Sequence, residues 1–334
     1  MLFVAFLGFS VMAMASPANH IEHYAKSLDS RDVSGMPVSD FNNIKFYAQH
    51  AAASYCNFKA DAGSAVTCDK DACPLVEKNN VTIVGAYAGN VAGLGAYVSF
   101  DLVREEIVLA IRGSDSLRNF VADMFFFWHD CHFTNDCKVH AGFSKSWREI
   151  RDQAVGAINS ARSQYPEFRV IATGHSLGGA GAVLAAADLR QDGIPVDIYT
   201  YGCPRVGNDK FTDWLTGQPG AHFRVTHDSD PISRLPPITF GYRHLSPEYW
   251  ITKGGAGQDE PEVEVQVCDG IKNTDCNGGT WHLDFAAHMH YLGDTAACLG
   301  FPLKWKRNSP LNAELEQRLY AWSLKDREFV QNSE

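Results

Sequence analysis

Phe168-Arg169-Val170-Ile171-Ala172-Thr173-Gly174-His175-Ser176-Leu177-Gly178-Gly179-Ala180-Gly181-Ala182 is the stretch that decides the fold. Phe168–Thr173 has the apolar, β-branched content of a buried strand. The residues from Gly178 to Leu189 are small and apolar, as a closely packed helix requires. Between them Gly174-His175-Ser176-Leu177-Gly178 has the form G-x-S-x-G. A strand, a glycine-flanked serine and a helix, in that order, are the parts of a nucleophile elbow. In such a turn the serine hydroxyl stands out at the carboxyl end of a sheet. The glycines permit the turn and let the helix approach the strand.

Outward from the elbow, strands and helices alternate. Phe41, Ile44, Tyr47 and Ala51 predict a helix over 41–55. Val81–Tyr87, Ala96–Val103 and Ile107–Ile111 read as strands, the last an unbroken apolar run suited to the centre of a sheet. Trp147, Ile150, Val155 and Ile158 predict one long helix over 143–163. Val196–Tyr201 and His222–Thr226 are further strands. The pattern predicts an α/β fold: a mostly parallel central sheet flanked by helices, one domain over 32–298. Gly254–Gly279 is turn-rich and is expected to be loop. In the extension 299–334, Leu311, Leu315, Leu319 and Trp322 predict a terminal helix. It is either docked on the domain or released after the dibasic Lys306-Arg307, and the sequence leaves both open.

A serine hydroxyl is a weak nucleophile until a base takes its proton, and the base needs an acid to orient it. In elbow proteins these follow in the order serine, acid, histidine. Asp228 and Asp230 lie just past the strand ending at Thr226, and Pro231 fixes the turn after Asp230, which makes Asp230 the preferred acid. His244, His282, His288 and His290 are the later histidines. His288, ten residues before Cys298, is the preferred base, because a disulfide there would hold its loop rigid. The spacing of His282, His288 and His290 also admits a metal, but with only Asp284 nearby no metal or other cofactor is expected.

Arg112-Gly113-Ser114 ends the apolar strand. If that strand neighbours the elbow strand, Ser114 can serve an oxyanion, with the Leu177 N–H as a second donor. Equally, Ser114 can cap the helix that follows. In that segment Leu117, Phe120, Val121 and Met124 fall at i, i+3, i+4 and i+7, one apolar stripe that Phe125–Trp128 extends. It is either a helix packed on the core or a lid over an apolar site. A lid that opens exposes apolar side chains, which is unfavourable in water and favourable on lipid.

The remaining features concern compartment and partners. Residues 1–15 hold an uncharged apolar run ending in Ala13-Met14-Ala15, shorter than the roughly twenty residues of a membrane span. They read as a secretory signal, although no basic residue follows Met1; a pro-segment over 16–31, ending at Arg31, is a candidate. Nine cysteines suit an oxidising compartment. Cys68/Cys73, Cys131/Cys137 and Cys268/Cys276 stand out as close pairs, Cys56 and Cys298 flank the others, and Cys203 is left as a buried thiol. Asn80-Val81-Thr82 is a glycosylation sequon. Lys and Arg number 29 against 39 Asp and Glu, a net charge of -10 with no basic block of the kind nucleic acid requires. No nucleic-acid partner is expected. The expected partner is an ester or lipid at an interface, met by peripheral adsorption, and the expected state is a monomer.

These residues resemble the fungal secreted lipases of the class 3 α/β-hydrolase family, the group typified by the Rhizomucor and Thermomyces lipases. The similarity runs from about Phe41 to Cys298. It is carried by Arg112-Gly113-Ser114, Gly174–Gly179, Tyr201-Gly202 with Pro204–Asn208, Thr226-His227 through Asp230 to Leu235-Pro236-Pro237, and Ser246–Trp250. The resemblance implies Ser176, Asp230 and His288 as a catalytic triad, Ser114 as the oxyanion serine, Leu117–Met124 as the lid, and the pairs Cys56–Cys298, Cys68–Cys73 and Cys131–Cys137. It implies hydrolysis of triacylglycerol esters at a lipid–water interface. Phe120 stands where a lid tryptophan is common, and Asp115 adds a charge beside Ser114. Cys268/Cys276 and the tail lie outside the pattern. Feruloyl esterases of the family share a similar extra pair, so a feruloyl esterase, phospholipase or general carboxylesterase is the alternative. The apolar lid stripe favours the lipase.

Overall fold

The computed structural model describes residues 36–90, 93–114, 126–258, 260, 262–299 and 313–333. The predicted lid stripe, the signal and pro-segments and the Lys306-Arg307 site lie outside them. Helix α1 (Val38–Asn57) opens the domain, followed by a short α2 (Pro74–Lys78) and strands β1 (Thr82–Ala88), β2 (Gly95–Asp101) and β3 (Glu106–Arg112). A small hairpin, β4 (Trp128–Asp130) and β5 (Lys138–His140), leads to helices α3 (Ala141–Arg148) and α4 (Arg151–Gln164). Then come β6 (Arg169–His175), α5 (Leu177–Gln191), β7 (Val196–Tyr201), α6 (Asp209–Thr216) and β8 (His222–His227). Strands β9 (Glu248–Lys253) and β10 (Glu264–Cys268), the single-turn α7 (Phe285–His288) and the terminal α8 (Ala313–Gln331) complete the chain.

The sheet order is β1-β2-β3-β6-β7-β8-β9-β10. From β3 to β9 neighbours run parallel, and the outer pairs β1–β2, β2–β3 and β9–β10 are antiparallel. Strand β3 is apolar from Ile107 to Ile111 because both its faces are covered. Ile107, Leu109 and Ile111 join the core under α3, α4 and α5, while Val108 and Ala110 join the core under α1. The register of β3 on β6 pairs Ile111 with Gly174, so Ser114 and Ser176 follow the carboxyl ends of adjacent strands.

Two elements differ from their sequence readings. The single helix expected over 143–163 is two, broken at Glu149 and Ile150. Ile150 leaves helical geometry (φ -118°, ψ -6°) yet is fully buried, and the apolar spacing continues across the break. The break lets both Trp147 Nε1 and Arg151 Nε donate to Asp188 Oδ2 on α5, each at 2.7 Å. The expected loop 254–279 contains β10, an edge strand in which Glu264, Gln266 and Val267 are exposed; the Cys268–Cys276 disulfide ties its end. Phe126 and Phe127 are not helical, and Trp128 begins β4, stacked on Tyr242.

Helix α8 lies against the domain. Leu315, Leu319 and Trp322 pack with Phe126, Ile232, Leu235 and Phe285. Asp326 accepts the Ile238 and Thr239 N–H groups at 2.7 and 3.0 Å and pairs with the buried Arg205 at 3.2 Å. Arg327 donates to the Gly279 carbonyl and stacks on Trp281. Its polar bonds and apolar stripe thus hold the loops that follow β8 and precede α7.

Candidate active site

Ser176 sits between β6 and α5 with φ 58° and ψ -129°, a conformation costly for a side chain-bearing residue. The turn survives because its surroundings fix it. The Ser176 N–H donates to the Tyr201 carbonyl at 2.9 Å. A Cβ on Gly174 would collide with the Gly178 backbone, and one on Gly178 with the Ile111 carbonyl. The helix thereby comes into backbone contact with β3 as well as β6.

Beyond β8, Asp230 and His288 meet. His288 Nδ1 lies 2.7 Å from Asp230 Oδ2, and both side chains are almost wholly buried. A carboxylate only accepts, so Nδ1 carries the proton and the lone pair of neutral His288 is on Nε2. That nitrogen is buried and has no hydrogen-bond partner among the described residues. Asp230 Oδ2 also accepts the Tyr291 hydroxyl at 2.5 Å, and Oδ1 accepts the Ile232 N–H at 2.8 Å. Burial works to raise the Asp230 carboxyl. The adjacent His288 ring and the bonds from His288, Tyr291 and Ile232 outweigh it and hold the carboxyl below its usual value. Gly202, at φ 57°, runs beneath the pair; a Cβ there would stand 2.7 Å from Asp230 Oδ2 and 2.8 Å from His288 Nδ1.

The alternatives weighed in the sequence go elsewhere. Asp228 is half-exposed and accepts the Ser229 hydroxyl at 2.8 Å, with His282 3.6 Å away. His244 is buried, with Nε2 bonded to the Ser233 carbonyl, and His290 Nδ1 bonds to the Ala286 carbonyl. His282, His288 and His290 therefore face three different partners. The four disulfides are Cys56–Cys298, Cys68–Cys73, Cys131–Cys137 and Cys268–Cys276. Cys203 is a buried free thiol, pushed up to about 12 by burial. Asn80 is exposed in the turn before β1.

Three residues near the pair are given no role in the sequence reading. Tyr291 follows His288 by three positions, a local cue that only the fold makes meaningful. Tyr55 Oη lies 2.9 Å from His175 Nδ1 and accepts the Gly113 N–H at 3.1 Å. His175 Nε2 donates to the His288 carbonyl at 2.7 Å, and the two rings lie 4.6 Å apart. The elbow thus adjoins the acid–base pair directly.

A family profile described as lipase (class 3) matches residues 108–240, from β3 through the elbow to the loop after Asp230. A secreted mono- and diacylglycerol lipase 1 of Fusarium solani is 45% identical over 330 residues, covering 99% of this chain and 98% of that protein. The chain belongs to the fungal class 3 lipase family. Among other members of this lipase family, the Rhizomucor miehei lipase is 31% identical over 302 residues, 87% of this chain and 78% of that one. The crystal structure of a mono- and diacylglycerol lipase from Aspergillus oryzae superposes with a TM-score of 0.74 at 34% identity, covering 78% of this chain and all of that one. Membership makes this chain an ester-hydrolysing enzyme on the α/β-hydrolase fold.

Proposed function

We propose that this lipase is a secreted acylglycerol hydrolase with Ser176 as nucleophile, His288 as general base and Asp230 as orienting acid. Ser176 Oγ attacks the ester carbonyl while its proton passes to His288 Nε2. The tetrahedral oxyanion forms against the Leu177 N–H and Ser114. Collapse releases the glyceride alcohol, which takes the proton from His288, and leaves an acyl-enzyme; water activated by the same base then frees the fatty acid. The observation that supports this reading is the buried Asp230–His288 pair, with Nε2 unpartnered among the described residues and the His288 ring 4.6 Å from that of His175, the residue before the elbow serine.

Leu117, Phe120, Val121 and Met124 form the lid, and adsorption to lipid is peripheral. The enzyme works as a monomer, and Asn80 carries a glycan. The apolar leader and four disulfides support secretion. The names of the Fusarium and Aspergillus relatives favour mono- and diacylglycerols over triacylglycerols. Rates on emulsified monoolein, diolein, triolein and phosphatidylcholine, with methyl ferulate alongside, test the substrate class. The expected order has diolein and monoolein above triolein, with little on the other two; dominant methyl ferulate turnover would replace the reading by a feruloyl esterase. Ser176→Ala tests the chemistry: nearly all hydrolysis is expected to vanish in a folded protein, and more than a few per cent retained would overturn the nucleophile.

A further inference from the structure

Three parts of the proposed catalytic apparatus arrive on separate elements: Gly113-Ser114 after β3, His175-Ser176 at the end of β6, and His288 at the end of α7. One pair of side chains touches all three. His175 Nε2 faces a backbone carbonyl, that of His288, and a carbonyl only accepts, so Nε2 carries the proton. Its Nδ1 is then an acceptor, and the Tyr55 hydroxyl at 2.9 Å donates to it. The Tyr55 oxygen in turn accepts the Gly113 N–H. Donor and acceptor are fixed at every link. Burial lowers His175 to about 3, so the ring stays neutral and the tautomer does not change at ordinary pH. The neighbourhood is crowded as well. A Cβ on Gly113 would stand 2.7 Å from Tyr55 Oη and 3.1 Å from Ser176 Cβ. Tyr55 is itself anchored, because the next residue, Cys56, is bonded to Cys298 beyond the His288 loop.

We propose that Tyr55 and His175 are positioning residues for ester hydrolysis, holding the Gly113–Ser114 strand end and the His288 backbone in register with Ser176. The proposal rests on the triad reading given above. Neither side chain reaches the reacting atoms; both act by fixing the backbone that carries the groups that do. Displacements well under an ångström between oxyanion donor, nucleophile and base lower turnover without altering the pocket that binds ester.

The test uses purified full-length enzyme on p-nitrophenyl butyrate below its solubility limit, so that lipid adsorption plays no part. Tyr55→Phe is expected to lower kcat roughly ten- to a hundredfold, with KM within about twofold and the thermal midpoint little changed. His175→Leu is expected to lose more. His175→Gln recovers most of the rate, because its amide N–H donates to the His288 carbonyl and its oxygen accepts from Tyr55. The Tyr55→Phe/His175→Leu double variant is expected to be no worse than His175→Leu, since one relay is broken either way. Ser176→Ala is measured alongside. If it stays active, the triad reading fails. If it is dead while Tyr55→Phe keeps kcat within twofold of the parent, the triad stands and the relay is rejected. A His175→Gln enzyme as poor as His175→Leu rejects it too. Tyr55→Phe decides the matter alone if the leucine variant does not fold.

Discussion

At the scale of single residues, the backbone distinguishes neighbours that look alike in sequence. Asp228 and Asp230 stand two apart, yet only Asp230 is buried and bonded to His288. Asp230→Asn is expected to lower kcat by about 10³–10⁴, because an amide leaves His288 in the wrong tautomer. Asp228→Asn is expected to keep activity within a few-fold; steady-state rates on a dissolved ester separate the two. Gly202→Ala tests the same pair from below. Its Cβ would push between Asp230 and His288 from a backbone at φ 57°, so hydrolysis is expected to fall at least a hundredfold in a protein that still folds. The serine was legible because everything that marks it is local: a strand, two glycines and a helix. The Tyr55–His175 contact was not, because 120 residues separate its partners and a tyrosine in a buried helix face reads as core.

At the scale of elements, the alternation of strands and helices was readable because β3, β6, β7 and β8 are mostly buried and rich in apolar and β-branched residues, β3 from Ile107 to Ile111 without interruption. Strand β10 was hidden because it is a short edge strand among turn residues, with Glu264, Gln266 and Val267 all meeting water, so no clean period of two marks it. The helix break at Ile150 was hidden for the opposite reason: the apolar spacing runs straight through it. Two predictions belong here. If Ser114, at the end of β3, serves the oxyanion, Ser114→Ala is expected to lower kcat by roughly 10²–10³ with KM little changed, since that charge exists only in the transition state. Loss of stability with kcat intact would show a capping role instead. For the lid stripe, Phe120→Asp with Val121→Asp is expected to flatten the rise in specific activity that follows when a short-chain ester passes its solubility limit. Hydrolysis of the dissolved monomer is expected to persist.

At the scale of the whole molecule, several histidines are buried and neutral. Burial lowers His50 and His175 from 6.5 to about 3 and His222 to about 4, and it lowers His244 as well. Between the unfolded and folded values the unfolded chain binds the extra proton. Each group therefore contributes fully above about pH 6.5 and loses its contribution as pH falls toward its folded value. Per histidine the upper slope is about 1.4 kcal/mol per pH unit. Urea unfolding midpoints are expected to drop steeply from pH 6.5 to 4.5, and a flat profile there would contradict the burial. The terminal helix contributes to the same whole. Asp326→Ala leaves Arg205 buried without its charge partner and is expected to cost about 3 kcal/mol.

The Cys56–Cys298 disulfide has a sequence separation of 242, and every strand of the sheet and the other three disulfides lie inside the ring it closes. Its two halves leave the ribosome at opposite ends of synthesis. Cys56 is exposed to oxidant first in the company of Cys68 and Cys73, long before Cys298 exists. A Cys68–Cys73 bond formed then is already the native one, but a bond from Cys56 to either of them has to be exchanged once Cys298, the last of the nine cysteines, has emerged. The yield of active protein is therefore expected to rise with the host's capacity for disulfide exchange. A producing strain enriched in disulfide isomerase is the natural place to make this enzyme.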